Sequence, residues 1–551
     1  MSDPSAEAIE EDLSHTTIVF HVTSTKVSAG FASDPDCQIS IPQVIARKLP
    51  VGVTAFVPED EYMSSELAWY ISDSLPIINE ATSQIREDCK QPLGGPAEVD
   101  PLHPFSNINK VDIIPHLADC STCKWDWEIP TSQYAIGDEA LRIPVGHDFV
   151  LRWPLGGHPE LTFATDASYT KTSALNDVFA IWKSLLHVLF LTGSVVKQNE
   201  GSWTPLSPTP KVLSQYSAIL VLPDDPSADV ATSLTSLLLS DFGFSSALLL
   251  NESVASAFSF GLSSCIVVDL GPMTTKICTV EDGMTLSLSR LSMPFGYESC
   301  CTVLSNLIEN WGSTSSTPSF NFSTINPQHR QMLKTILYDK CHAYSPSQSS
   351  TKFDLCLHSL DGLTHVRRHV VIDDLDWMFL LYAPIAAYFF PLAFGLHTSA
   401  PSSPSDVKDK DKGQEGPLPP FDTPYQTFPL GTAVVECFRR IGRSDLRKRL
   451  LGTVILTGEG AKLGGISQAL AWSIRQALVE ANLETQADRI EVHTENRAQV
   501  SPENAAWKGG AIVGCICGVN EELRGELYCS SKEFREYGYR SLKSRSTFMF
   551  G

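Results

Sequence analysis

The sequence predicts an α/β protein of two similar lobes, with sheets covered by helices. Three observations predict it. A strand, turn, strand, turn, strand plan occurs twice. Strand and helix signals alternate between the two copies. A late strand runs through a G-x-G turn into a helix. In the first copy, Thr16 to Val22 is a strand-like run ending in polar residues, Lys26 to Ala32 is a second run, and Gln38 to Ile45 is a third. In the second copy, Cys265 to Asp269 is an apolar, β-branched strand, Thr274 to Val280 follows, Glu281-Asp282-Gly283 turns, and Met284 to Leu291 completes the plan. The Asp-Gly pair is a hairpin signal because the tight turn needs positive φ. A plan met twice is the mark of an internal duplication.

Between the copies, Ser217 to Leu222 reads as a buried strand. Pro226-Ser227 can open a helix whose apolar face is Val230, Leu234, Leu237 and Leu238, spaced i, i+4, i+7, i+8, and Gly243 can end it. Ala247 to Leu250 is the next short strand. Near the end, Thr453 to Leu456 leads through Thr457-Gly458-Glu459-Gly460 into a helix from about Ile466 to Ala481. Backbone can approach a phosphate or sugar closely at such glycines, and a helix N-terminus favours anions. Alone, this G-x-G names no ligand, because most such turns are only turns.

At 551 residues the chain exceeds what one core organises. Length alone suggests about two to four structural units. It is 43% apolar, enough for a sizeable core, and its 41 basic residues face 63 acidic ones for a net charge of -22. So acidic a chain does not coat DNA by net charge, and any nucleic-acid contact needs a local basic patch. The acidity fits simple solubility or a preference for basic partners such as histones or a Lys/Arg-rich helix. Several of the fourteen cysteines, such as Cys265 and Cys278, fall inside apolar runs, the pattern of buried reduced thiols in an intracellular protein. Cys120 and Cys123 form a lone C-x-x-C with no second ligand pair nearby, which leaves a metal or redox role without support.

Met1 to Leu13 is acidic and lacks a signal-peptide pattern. Trp377 to Leu396 carries no charge and is long enough to span a bilayer, but Pro384 and Pro391 interrupt it and Asp373, Asp374 and Asp376 crowd one end. It reads as core, with no membrane partner. His397 to Thr423, rich in Ser, Pro, Asp, Lys and Gly, reads as a flexible loop, and Pro92 to Pro115 as an insertion.

Taken together, the two polar-tipped turns and the late strand, G-x-G and helix resemble the actin fold, which is shared with sugar kinases and heat-shock ATPases. Ser28-Ala-Gly-Phe-Ala32 is similar to the actin sequence just after its first phosphate loop, and Val267-Val-Asp-Leu-Gly271 to the second phosphate loop. Val454-Ile-Leu-Thr-Gly-Glu-Gly460 resembles the adenosine-side motif, and Trp507-Lys-Gly-Gly510 the W-x-G-G near the actin C-terminus. Asp445-Leu-Arg-Lys-Arg449 precedes its strand as a similar segment does in actin, and Ala383-Pro-Ile-Ala-Ala-Tyr-Phe-Phe-Pro391 looks like the family's A-P-x-A-L-F-x-P core segment. Ile41-Pro-Gln-Val-Ile-Ala-Arg47, Ile136-Gly-Asp-Glu-Ala-Leu141, Asn251-Glu-Ser253, Gly261-Leu-Ser-Ser264, Val280-Glu-Asp-Gly283 and Phe534-Arg-Glu-Tyr-Gly538 point to the nuclear branch of the actin-related proteins.

The resemblance implies an actin-like ATPase fold, central mixed sheets flanked by helices, with loop insertions. It divides the chain into an acidic tail at 1–15, a first lobe at 16–251 with insertions near 50–135, a second lobe at 252–503 with the 397–423 loop, and a segment at 504–551 that returns to the first lobe.

An ATPase of this fold needs carboxylates to hold the metal through water, glycines to admit the phosphates, and a polar group to position the attacking water. In the first loop, His21-Val-Thr-Ser-Thr25, His21 stands where an acidic residue is expected, and Thr23 and Thr25 where glycines are. The hydroxyls of Ser24 and Thr25 can still bond a phosphate. The second loop keeps Asp269 and Gly271 but has Pro272 for the second acid and Met273 for the next glycine. Glu252 aligns with the water-orienting glutamine of actin, and Leu337 and Tyr338 do not match its base-contacting lysine and glutamate, though Cys341 keeps the register. The resemblance therefore implies an altered nucleotide site of Ser24, Thr25, Asp269, Gly271, Gly458 and Gly460. That site has no catalytic residue and no metal site, and it takes ATP or ADP, if at all, as a structural ligand. The plain alternative is a filled or empty cleft in which Asp269 caps a turn.

In the family a hydrophobic groove binds partner helices, and Phe258, Met284, Val513 and Ile516 match its positions. Each reads equally well as plain core. The implied partners are the basic helix of a remodeller's motor subunit, shared with actin and actin-related protein 4, and histones of the nucleosome. Arg439, Arg440, Arg443, Arg447, Lys448 and Arg449 form one basic cluster, and Arg535, Arg540, Lys543 and Arg545 another. These are solvated helix faces, sequence-independent contacts to linker DNA phosphates, or import signals. The expected role is a nuclear, non-catalytic subunit of an INO-type remodeller serving transcription and DNA repair. The alternatives are an active actin-like ATPase and a filament-capping or dynactin-type cytoskeletal relative.

Overall fold

In the computed structural model, Thr17–Val22 reverses through residues 23–26 into Lys26–Phe31, and Cys265–Leu270 reverses through residues 271–274 into Thr275–Glu281. The two turns close alike: the Thr23 N–H donates to the Lys26 carbonyl at 3.0 Å, and the Gly271 N–H to the Thr274 carbonyl at 3.0 Å. His21 and Asp269 are each the last-but-one residue of the first strand in their hairpin. Each first strand is also flanked by a parallel neighbour, Ser217–Leu222 in one case and Val454–Thr457 in the other. The duplicated plan is thus two lobes with equivalent strand pairing.

The structure describes residues 13–49, 110–114, 132–143, 148–157, 161–166, 168–192, 208–224, 226–311, 327–343, 351–358, 365–372, 383–389, 391, 427–483, 487, 489–494 and 500–545. Cys120, Cys123 and the 397–423 segment lie outside them. Of the apolar stretch 377–396, residues 383–389 and 391 are described, and Ile385, Ala386, Ala387, Tyr388 and Phe389 are buried in the second lobe's core.

The first sheet runs Cys529–Ser530, Ser246–Asn251, Ser217–Leu222, Thr17–Val22, Lys26–Phe31, Ile39–Pro42. The second runs Met284–Thr285, Thr275–Glu281, Cys265–Leu270, Val454–Thr457, Val492–His493, with Leu291–Met293 also on Thr275–Glu281. Parallel and antiparallel neighbours coexist, so both sheets are mixed, and their central strands read as unbroken apolar runs because both faces are covered.

Helix Lys171–Thr192 covers the first sheet with Val178, Ile181, Trp182, Leu185 and Leu189, one face at helical spacing. Trp182 stacks on Phe20 with ring centroids 5.3 Å apart, and burying each such side chain stabilises by about 1.5–3 kcal/mol. By length and composition this helix is also apolar enough to cross a membrane. Its apolar face is spent on the sheet. Helices Leu430–Arg439 and Ile466–Glu480 cover the second sheet. Between the sheets, helix Ala505–Val519 packs on Glu252–Ser259, with Trp507 fully buried and donating Nε1–H to the Val19 carbonyl at 3.2 Å.

Three local expectations change. The third run of the first copy is two strands: Ile39–Pro42 stays in the sheet, while Ile45–Lys48 leaves to pair with Tyr134–Ile136 and Phe149–Arg152. The third run of the second copy, expected continuous, is split by a 3₁₀ turn at Ser287–Ser289. The helix after Pro226 is α-helical over Ala228–Ser236 and widens to a π-helix over Leu237–Phe242 before Gly243, at φ 83°. Leu237, Leu238 and Leu239 of that wider turn are all buried. Within the insertions, Lys110–Ile114 pairs antiparallel with His365–Ile372, which pairs in turn with Thr351–His358.

Candidate functional site

The two hairpin turns line one cleft that opens to solvent. The first turn contributes His21, Thr23, Ser24, Thr25 and Lys26. The second contributes Asp269, Gly271, Pro272, Thr274 and Lys276, and Gly458, Glu459 and Glu503 complete the rim. Of the residues the sequence singles out for a nucleotide, Ser24, Thr25, Asp269, Gly271 and Gly458 meet here. Gly460 does not line the cleft. A Cβ on it would fall 2.7 Å from the Leu270 Cβ and 2.9 Å from the Tyr388 hydroxyl, so this glycine serves packing.

The two most unusual positions of the cleft are bonded to each other. His21 Nε2 donates to Glu252 Oε1 at 2.8 Å, with the side chains only 4% and 9% exposed. An ionised carboxylate only accepts, so the shared proton position is Nε2–H. His21 Nδ1 is buried and carries no hydrogen bond. Glu252 opens helix Glu252–Ser259, where the unpaired amides favour a negative charge. Burial pushes its carboxyl up. The His21 hydrogen bond and the charges of His21, Lys276 and Lys26 outweigh that, holding it below the usual range. Beside it, Asp224 is buried and accepts from the Ser253 N–H at 3.2 Å and from the Ser253 hydroxyl, and burial raises its carboxyl.

Asp269 sits directly across its hairpin from Lys276. Burial and the Glu252 charge push the Asp269 carboxyl up to about 8, with Lys276 acting in the other direction. Gly458, at φ 85°, is tied to this acid. A Cβ there would lie 2.5 Å from Asp269 Oδ1, so only glycine lets the late turn close over it. The cradle suits a phosphate chain: hydroxyls at Ser24 and Thr25, ammonium groups at Lys26 and Lys276, and backbone brought close at Gly271. It does not suit a divalent ion held through carboxylates. Asp269 faces a lysine, Glu252 is committed to His21, and Pro272 lines the wall. Among the described residues, no group of three His, Cys, Asp or Glu is placed to hold a metal ion.

Sequence reasoning missed Lys26, Lys276, Lys334, Glu459 and Glu503. Lys334 pairs with Glu459 at 2.5 Å and lies over the Tyr297 ring at 5.0 Å from its centroid. Leu337, aligned by sequence with a base-contacting residue, is fully buried, and Tyr338 packs beside Tyr297. The lysine of this wall thus comes from one helical turn earlier on Pro327–Lys340, a shift visible as i, i+3 spacing once the helix is known. Glu503 pairs with Lys462 at 2.5 Å and with Lys26 at 3.8 Å.

The four groove positions divide. Met284 and Ile516 are 56% and 49% exposed. Phe258 is half-buried, its ring against Gly283, whereas Val513 is buried in the core between the lobes. The arginine cluster is partly neutralised by the chain itself. Arg439 and Arg440 both pair with Glu436, at 2.9 and 2.7 Å, and Arg443 bridges Glu281 at 2.6 Å and Asp445 at 3.0 Å. Arg447 and Arg449 lie on Ser444–Leu450, and of Lys448 only its place in that helix is described. In the second basic set, Arg545 is spent on Glu533 at 2.6 Å, while Arg535, Arg540 and Lys543 are exposed.

Two lobes of one plan closing on a cleft lined by both hairpin turns define an actin-like fold, and residues 196–354 match the actin family model. Along its length the chain is similar to actin-related protein 8 of several organisms. It is 24% identical to that of Aedes aegypti over 97% of each chain, and 22% identical to that of Homo sapiens over 98% of this chain and 93% of the relative. The solved structure titled human actin-related protein Arp8 in its ATP-bound state superposes with a TM-score of 0.76 at 20% identity, covering 100% of both chains.

Proposed function

We propose that this chain is a nuclear, non-catalytic actin-related subunit of an ATP-dependent nucleosome remodelling complex. Its cleft holds ATP or ADP as a structural ligand that ties the lobes together. One observation carries the non-catalytic reading: the His21–Glu252 bond at 2.8 Å. The residues expected to hold metal-bound water and to orient the attacking water are replaced, and their replacements satisfy each other. The pair leaves no carboxylate at position 21 to hold a metal's water and no neutral amide at position 252 to orient the attacking one. The phosphate-compatible cradle, and a similar solved protein described as ATP-bound, support retention of nucleotide.

The partner reading rests on the exposed apolar side chains of Met284 and Ile516 and the half-buried Phe258, which suit a helix, and on a net charge of -22 that suits a basic one. The partners are the motor subunit's basic helix, with actin and actin-related protein 4 alongside, and histones. Linker DNA contact, if made, falls to Arg447 and Arg449, because Arg439, Arg440 and Arg443 are engaged within the chain. Transcription and DNA repair are the processes such a complex serves.

Two experiments test this. Affinity purification of the tagged chain from nuclei is expected to recover a remodeller motor with actin and actin-related protein 4, and a cytoskeletal set of partners would overturn it. Purified protein is expected to release no phosphate from ATP above background. Turnover comparable to actin would restore the ATPase alternative.

A further inference from the structure

We propose that this cleft takes the phosphate tail of a nucleoside polyphosphate without a divalent cation, with Lys276 and Lys26 supplying the positive charge and the His21–Glu252 pair standing where metal-bound water would be held. The inference rests on the nucleotide-retaining reading above and names its chemistry.

Three observations carry it. First, Lys276 and Asp269 are register partners on adjacent antiparallel strands, so their side chains share one face of the hairpin at the cleft. A carboxylate opposed by an ammonium group has little net charge to offer a metal ion. The ammonium is itself a phosphate ligand. Second, Glu252 is bonded to His21 at 2.8 Å, and both are buried. Releasing Glu252 to hold a metal's water would leave the buried His21 Nε2 without its partner, a costly exchange. Third, His21 Nδ1 is a buried polar atom with no hydrogen bond on a residue that lines the cleft. With Nε2 held by Glu252, that second ring nitrogen is left for a hydrogen bond with a ligand of the cleft. Lys26 and Lys276 thus bring fixed positive charge to the cleft where a metal-dependent site leaves that role to the ion, and a phosphate chain needs no magnesium to be held there.

The test uses the full chain stripped of nucleotide and a fluorescent ATP analogue, titrated once in excess EDTA and once in magnesium. The two dissociation constants are expected to agree within about threefold, and Lys276→Ala is expected to weaken binding about tenfold in both buffers. The double variant His21→Asp with Glu252→Gln is expected to convert the site, so that magnesium tightens binding by at least about tenfold. Wild-type binding that weakens about tenfold or more in EDTA overturns the metal-independent site but leaves nucleotide retention standing. Absence of binding in both buffers overturns both. The wild-type comparison decides the question even if a variant fails to fold, and each variant is checked by its melting transition first.

Discussion

Gly509 lies against the carbonyl of Ala255 so closely that a Cβ there would stand 1.6 Å from the Ala255 oxygen. Helices Ala505–Val519 and Glu252–Ser259 therefore cross with backbone in contact, and the crossing seats Trp507 between the sheets. The first of these helices carries the W-x-G-G motif, and the second begins with Glu252 of the cleft.

Gly509→Ala forces those helices apart and disturbs a fully buried tryptophan. We expect a loss of about 3 kcal/mol or more in urea unfolding, the scale of a severe overpacking. Gly525, in helix Glu521–Leu527, faces open space: a Cβ added there would meet nothing within 4 Å. Gly525→Ala is expected to gain about 0.5–1 kcal/mol from helix propensity. Equal effects from the two would remove the close-contact account.

His21→Ala leaves the Glu252 carboxylate buried without its partner. The expected loss is about 3 kcal/mol, and His21→Ala combined with Glu252→Ala is expected to lose less than the sum of the single changes. A double-mutant cycle in urea measures this. Additive losses would mean the 2.8 Å bond is energetically idle.

Asp269 gives a pH dependence with a definite sign. Its folded value, pushed up to about 8, lies above the ordinary aspartate value of about 4. The protonated form is the one the fold favours. Its contribution is fully present below about pH 4 and is lost as pH rises through about 8. Urea midpoints taken between those limits are expected to fall with pH more steeply for the wild type than for Asp269→Asn. Parallel curves would show that Asp269 is not the responsible group.

Position in the groove separates surface from core. Met284→Asp with Ile516→Asp is expected to change unfolding free energy by less than about 1 kcal/mol while abolishing capture of a basic helix, because both side chains are exposed. Val513→Asp, by contrast, places a charge in the core between the lobes and is expected to prevent folding. Unimpaired capture by the first variant counts against the groove, and a well-folded Val513→Asp protein counts against the packing.

Much of the architecture was legible in the residues because hairpins, turns and helix faces are local. The Asp282-Gly283 turn, the strand at Cys265–Leu270 and the G-x-G after Val454–Thr457 each announce themselves within a few positions. The π-helix at Leu237–Phe242 did not, since a widened turn keeps the same apolar letters as an α-helix. The lysine at 334 was missed because choosing among positions one turn apart requires knowing which face of its helix looks at Glu459.

From the chain alone came the two equivalent lobes, the cleft between their turns, and the departures from an ATPase pattern at His21, Glu252 and Pro272. Only the tertiary structure decided that His21 and Glu252, separated by 231 positions, complete each other, that three of the clustered arginines are engaged by the chain's own acids, and that Val513 is core. Strand and turn preferences act between neighbours in sequence. Hydrogen-bond partners, ion pairs and burial depend on which strands and helices the fold sets side by side.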